Sequence, residues 1–252
     1  MTIKNKVNTE GTMQNADSAF RLLPSAARPS FLKAVFAIIY KDLAAEFRSR
    51  ELLTAMLTFS LLVILIFNFA LDLNIDVRRN VTAGVLWTTF AFAGTLGLNR
   101  SMAVEKDRGC MDGLLLAPVD RSAIFFGKAI SNLAFMLIVE AMVLPMYAFF
   151  YNETRIFQWE FIAVLLLGSI GYIAVGTLLS AMSVQTRTRE ILLPILLFPV
   201  AIPVLIASVL ASGAIINDMA LPQIMTPLNL LIVYDVIFVA VSFMFFDYIV
   251  EE

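Results

Sequence analysis

Residues 105–121 read EKDRGCMDGLLLAPVDR, a charged, glycine-bearing island in an otherwise apolar chain. As a helix over 105–116, the charges Glu105, Lys106, Asp107 and Arg108 fall in the first turn, and Met111, Leu114 and Leu115 can share one side. Gly109 and Gly113 lower its intrinsic helicity, Pro118 stops it, and Asp120 can cap the helix that follows, next to Arg121. An apolar ridge between charges suits docking into a groove on a soluble partner. The same charges would also suit a plain loop that only fixes topology. Cys110 lies between Asp107 and Asp112, and nearby carboxylates disfavour the thiolate that haem ligation would need.

Other chemistry is sparse. The chain has no histidine and one cysteine, which removes the commonest zinc ligand, the usual haem ligand and any intrachain disulfide. No nucleophile–base pair or metal cluster is legible, so the chain reads as a non-enzyme with no cofactor of its own. FGKA at 126–129 lacks the upstream glycine and the hydroxyl residue of a G-x-x-x-x-G-K-[ST] phosphate loop. Ionisable groups within apolar runs are candidates for an intramembrane polar path. Glu140 and Asp235 qualify, with Asn68 beside them, although such groups also serve simply to hold helices together.

The elements that must position these residues are helices in lipid. Of 252 residues, 60% are hydrophobic and 15% charged, against about half and about a quarter in a soluble domain. Apolar runs of about 20 residues, enough to cross about 30 Å of hydrocarbon, predict six spans at 52–71, 81–98, 123–151, 161–184, 191–216 and 228–250. Pro194, Pro199 and Pro203 predict a kinked or broken fifth span. In the fourth, Gly168, Ser169, Gly176 and Ser180 predict close helix packing. Segment 211–227 is too interrupted to span.

Before the first span, residues 30–50 place Leu32, Phe36, Ile39, Leu43 and Phe47 at helical spacing, with Lys33, Lys41, Arg48 and Arg50 elsewhere. This predicts an amphipathic helix lying in the interface, its basic side toward headgroups. Residues 1–29 are polar and irregular, and predict a disordered cytoplasmic tail. Fifteen of the 18 Lys and Arg fall on one side of the six-span layout, and Arg78, Arg79 and Arg155 on the other. The positive-inside rule then places both termini and the island in the cytoplasm.

The phrase EKDRG…DGLLLAPVDRS…FGK, set between spans two and three behind an amphipathic helix, resembles the type-2 ABC exporter permeases. Within them it is most similar to the haem exporter B family of cytochrome c maturation (CcmB), over about residues 31–250. The matching positions are Glu105, Lys106, Gly109, Asp112, Gly113, Leu114, Leu115, Pro118, Asp120, Arg121, Gly127 and Lys128. The resemblance implies an all-α, six-span permease in which the helix at 105–116 is a coupling helix gripped by a separate ATPase subunit. Segment 211–227 would then match the short re-entrant element such exporters place between their last two spans.

The implied function is haem delivery at the outer face of the cytoplasmic (inner) membrane. ATP would be held by the partner, a CcmA-like subunit, with haem as substrate. A second permease copy, a CcmC-like haem-handling subunit, a CcmE-like haem chaperone and membrane lipids are the other implied partners; nucleic acid is not. Two alternatives are a type-2 exporter of a lipid, drug or polysaccharide, and a non-transporting membrane scaffold. With no imidazole in the chain, stable haem ligation is expected to belong to a partner.

Overall fold

The computed structural model describes residues 30–70, 75–107, 113, 119–184, 186 and 188–251. The tail expected over 1–29 lies outside them. Helix α1 (Phe31–Ser49) is followed by α2 (Glu51–Ala70), α3 (Ile75–Asp107), α4 (Arg121–Tyr151), a 3₁₀ turn at Arg155–Phe157, α5 (Trp159–Ser183), α6 (Arg189–Ile216) and α7 (Leu221–Glu251). Six of these, α2 to α7, contain stretches long and apolar enough to cross a membrane. The described residues form an all-α membrane fold.

Helix α5 sits at the centre, touching α3, α4, α6 and α7. Its small residues make that position available. A Cβ added to Gly168 would run into the Trp87 ring of α3 and the Ser208 hydroxyl of α6. The resulting core is dense, with Trp87, Phe90, Tyr147, Phe161 and Tyr172 all buried. Helix α2 lies at the edge, against α3, α4 and α1.

Three boundaries differ from the sequence reading. First, α3 does not stop near residue 98 but runs on through Asp107, so Glu105–Asp107 form its last turn and do not begin a separate helix. Met102 and Glu105 are buried on that extension, and this packing carries the helix past the apolar run. Second, of the two forms expected for the fifth span, kinked or broken, the broken one is excluded, because α6 runs over Arg189–Ile216 as one helix. Its packed face of Leu193, Leu197, Ala201, Val204, Ser208 and Ala211 is continuous, while Pro199 and Pro203 point outward and Pro194 is half-buried. Proline in a packed span is tolerated because neighbouring helices hold the segment together.

Third, no separate re-entrant element occupies 211–227. Helix α6 ends at Ile216, the chain turns at Asp218 (φ 56°), and α7 begins at Leu221. Asn217 Nδ2 donates to Gly213 O at 2.9 Å, and Arg155 reaches Asp218 at 3.1 Å, which closes the turn without a separate element. The earlier start of α7 also changes the depth of Asp235. It lies about four turns inside its helix, close to the middle, where the span expected at 228–250 would put it about two turns in.

Candidate functional site

The two ends of the phrase that runs from Glu105 to Lys128 meet at α1. Glu105 lies in the last turn of α3, Lys128 is the eighth residue of α4, and the two reach the adjacent residues Lys41 and Asp42 of α1. Lys128 Nζ is 2.8 Å from Asp42 Oδ2 and 2.5 Å from Glu105 Oε1. Lys41 pairs with the same Glu105 oxygen and lies 3.2 Å from Asp42 Oδ1. Lys128 is 1% exposed, Glu105 7% and Asp42 8%, so this is a buried ion cluster with a single exposed member, Lys41.

Such a cluster holds only if the charges are mutually paired, because each one alone would lose its hydration. Burial by itself would lower the Lys41 pKa, but the Glu105 hydrogen bond and the Asp42 charge outweigh it and hold the ammonium above its ordinary value.

Close helix approach makes the cluster possible. At Gly127 a Cβ would meet Ile38 of α1 at 2.8 Å; its absence lets α1 lie against α4 one residue before Lys128. Phe31 packs edge-on to Phe126 at 6.1 Å, and Phe126 in turn meets Phe243 of α7 at 5.6 Å. On the next turn of α1, Glu46 Oε1 accepts from Leu53 N at 2.9 Å, fixing the α1–α2 corner at Arg50 (φ 56°). Arg189 then forks onto Asp107 with two 3.0 Å bonds, tying the end of α3 to the start of α6.

Gly127→Leu is therefore expected to wedge α1 from α4 and cost about 1–3 kcal/mol, read as a lower unfolding temperature in detergent. Gly127→Ala should fall between it and the parent. A leucine variant as stable as the parent would contradict the close contact.

Of the island residues singled out by sequence, Glu105 and Lys106 end α3, with Lys106 exposed. Gly113 is exposed, with open space where a Cβ would point. Asp120 occupies the N-cap position of α4 without the side-chain cap bond expected of it, and Arg121 is the exposed first residue of that helix. Gly109, Asp112, Leu114, Leu115 and Pro118 lie outside the described residues, as does Cys110.

The intramembrane candidates separate. Glu140 and Asp235 stand on two sides of the middle of α5. Glu140 Oε1 accepts from Ser169 Oγ at 2.6 Å, and its Oε2 has no partner among the described residues. Asp235 is buried against Gly171, where a Cβ would strike its Oδ1, and neither of its oxygens has a partner among the described residues. Ser169 and Gly171 are two residues apart, so the carboxyls share a level, with the Thr95–Tyr172 hydroxyl pair (2.7 Å) beside them. Asn68 is half-buried near the end of α2 and shares no hydrogen bond with either.

Sequence reasoning missed Asp42 and Glu46, and used Lys128 only as a topology charge and as one position of the phrase. The signal was available. Asp42 and Glu46 continue the Ala34, Ile38 row at four-residue steps, a second face of α1 beside its apolar ridge. Leu32, Phe36 and Phe47 of that ridge stay on the outside of the bundle. A lone lysine in the apolar start of a span likewise demands a partner.

A central helix ringed by apolar helices, with polar groups at mid-depth and a charged junction at one end, defines a multi-pass membrane protein. The profile of the CcmB protein family matches residues 33–248, and the chain belongs to that family. It is similar to heme exporter protein B of Rhodobacter capsulatus, 26% identical over 171 residues, 68% of this chain and 78% of that one. It is also similar to heme exporter protein B of Pseudomonas aeruginosa, 25% identical over 182 residues, 72% and 80% of the two chains. The protein of that name from Bradyrhizobium diazoefficiens is 22% identical over 185 residues, 73% and 83%.

Proposed function

We propose that this chain is the membrane permease subunit of an ABC-type haem exporter in cytochrome c maturation. It would couple ATP hydrolysis by a CcmA-like partner to haem delivery at the outer face of the cytoplasmic membrane. The family match over 33–248 carries this reading. The island, from Glu105 and Lys106 through Gly109, Asp112, Gly113, Leu114, Leu115 and Pro118 to Asp120 and Arg121, is the surface the ATPase grips.

The buried cluster supports that role. Because Glu105 and Lys128 bracket the island, pair with each other and are tied to α1 through Lys41 and Asp42 respectively, a push on the island reaches α1, α3 and α4 together. Coupling needs contacts that differ between two states, and a shared cluster at the root of the island is where such a difference would register. A second permease copy, a CcmC-like haem-handling subunit and a CcmE-like chaperone complete the assembly, with Glu140 and Asp235 on the intramembrane path.

Co-purification from detergent tests the reading. The ATPase is expected to travel with the parent chain, while Leu114→Asp and Gly113→Trp abolish ATPase stimulation with the membrane fold kept. Unchanged complex and stimulation in both variants would remove the coupling role. The chain alone is expected to purify without tightly bound haem; stoichiometric haem on it would contradict the assignment of ligation to a partner.

Orientation is checked by cysteine labelling in a Cys110→Ser background. Probes at Ser101 and Thr188 are expected to react only from the cytoplasm, and a probe at Asn152 only from outside. The reverse pattern would overturn the charge-based topology.

A further inference from the structure

The buried cluster forms one wall of a cavity of about 200 Å³ between α1, α2, α3 and α4. Its charged lining is four carboxylates, Asp42, Glu46, Glu51 and Glu105, against three cations, Lys41, Arg100 and Lys128. Most of these bonds are already assigned. Asp42 is held through both oxygens by Lys41 and Lys128, Glu51 pairs with Arg100, and Glu46 Oε1 takes Leu53 N. Glu105 gives Oε1 to both lysines, but its Oε2 is buried with no donor among the described residues. Glu46 Oε2 has only the Ser49 hydroxyl, at 3.5 Å. The lining therefore has one negative charge in excess and leaves Glu105 Oε2 without a donor among the described residues.

The same cavity opens toward lipid. Ser49, Glu51 and Arg100 also line a shallow groove that continues along the outer face of α2 past Thr54, Ala55, Thr58 and Leu62. These α2 residues are exposed, as are Leu32, Phe36 and Phe47 of the α1 ridge, which sets the cavity at headgroup level and the groove at acyl-chain level.

We infer that this cavity and groove form a binding site for a phospholipid with a primary-amine headgroup, drawn from the leaflet beside α1. The ammonium supplies the missing cation and donates to Glu105 and Glu46. The phosphate lies at the mouth against the half-exposed Arg100 and Lys41, and one acyl chain follows α2. A quaternary headgroup has the charge but no N–H to give Glu105. An anionic headgroup adds charge of the sign already in excess. Buried carboxylates without donors are costly, so a bound amine completes the cluster at the root of the island.

The test is native mass spectrometry of the full chain in mild detergent, with phosphatidylethanolamine, phosphatidylcholine and phosphatidylglycerol of identical acyl chains added at equal concentration. One ethanolamine lipid per chain is expected, retained about tenfold more tightly than the other two. Ala55→Trp, which fills the groove away from the ion cluster, should remove that adduct, and Glu105→Gln should erase the headgroup preference. Equal retention of the ethanolamine and choline lipids, or tighter retention of the glycerol lipid, would overturn the amine assignment. Unchanged retention in Ala55→Trp would overturn the location. If Glu105→Gln fails to fold, the headgroup series on the parent and the groove variant still decide between these results.

Discussion

Lys128→Met is expected to be the most damaging single substitution at the island end of the bundle, costing about 3–5 kcal/mol. The methionine fills the lysine's space but leaves the buried carboxylates of Asp42 and Glu105 sharing only Lys41. Removing one member of a buried cluster costs more than the cluster itself contributes, because the remaining charges stay desolvated. Lys41→Met should cost about 1 kcal/mol or less, since its side chain is 43% exposed and solvent screens that pair. Asp42→Asn combined with Lys128→Met should recover part of the loss by removing one orphaned charge. The measurement is fluorescence-detected size exclusion after a temperature series. Equal effects at Lys128 and Lys41 would mean that the buried cluster does not hold the α1–α3–α4 junction.

Asp235→Val carries the opposite sign. A carboxyl at mid-span costs about 2.5–3.5 kcal/mol on insertion scales, and Asp235 has no hydrogen-bond partner among the described residues to offset it. The valine variant is expected to be more stable by about 1–3 kcal/mol, while haem-dependent maturation is lost with ATP turnover intact. A residue that costs stability and is needed for activity follows the usual trade between the two. Glu140→Gln should keep its bond to Ser169, change stability by about 1 kcal/mol or less, and also lose maturation. Full activity in both variants would reduce the two carboxyls to helix packing. A less stable Asp235→Val would show that the carboxyl is paired after all.

Much of this architecture was readable in the residues, for a physical reason. Lipid forces backbone hydrogen bonds inside each segment, so an apolar run of sufficient length reports a helix almost directly. Helices α2, α4 and α5 begin and end within two residues of the runs at 52–71, 123–151 and 161–184. Boundaries set by tertiary contact were not readable that way. Helix α3 outlasts its apolar run because Met102 and Glu105 are buried, and α7 starts early because α6 hands over to it through a four-residue turn. The ion cluster was hidden for a related reason. Its members come from three helices 64 and 86 residues apart in sequence, and each charge alone looked like an ordinary interfacial residue. Lys128, inside an apolar stretch, carried one warning, and the four-residue row of Ala34, Ile38, Asp42 and Glu46 carried the other.

The claim that this chain delivers mechanical coupling to haem export is tested most directly by the covalent haem content of periplasmic c-type cytochromes. Three strains are compared: the parent, one lacking this chain, and one whose partner ATPase cannot hydrolyse ATP. The account predicts that haem-stained cytochromes disappear in the last two, that the chain restores them when supplied on a plasmid, and that the membrane assembly persists in the ATPase-inactive strain. Normal cytochrome maturation in the strain lacking the chain would contradict it.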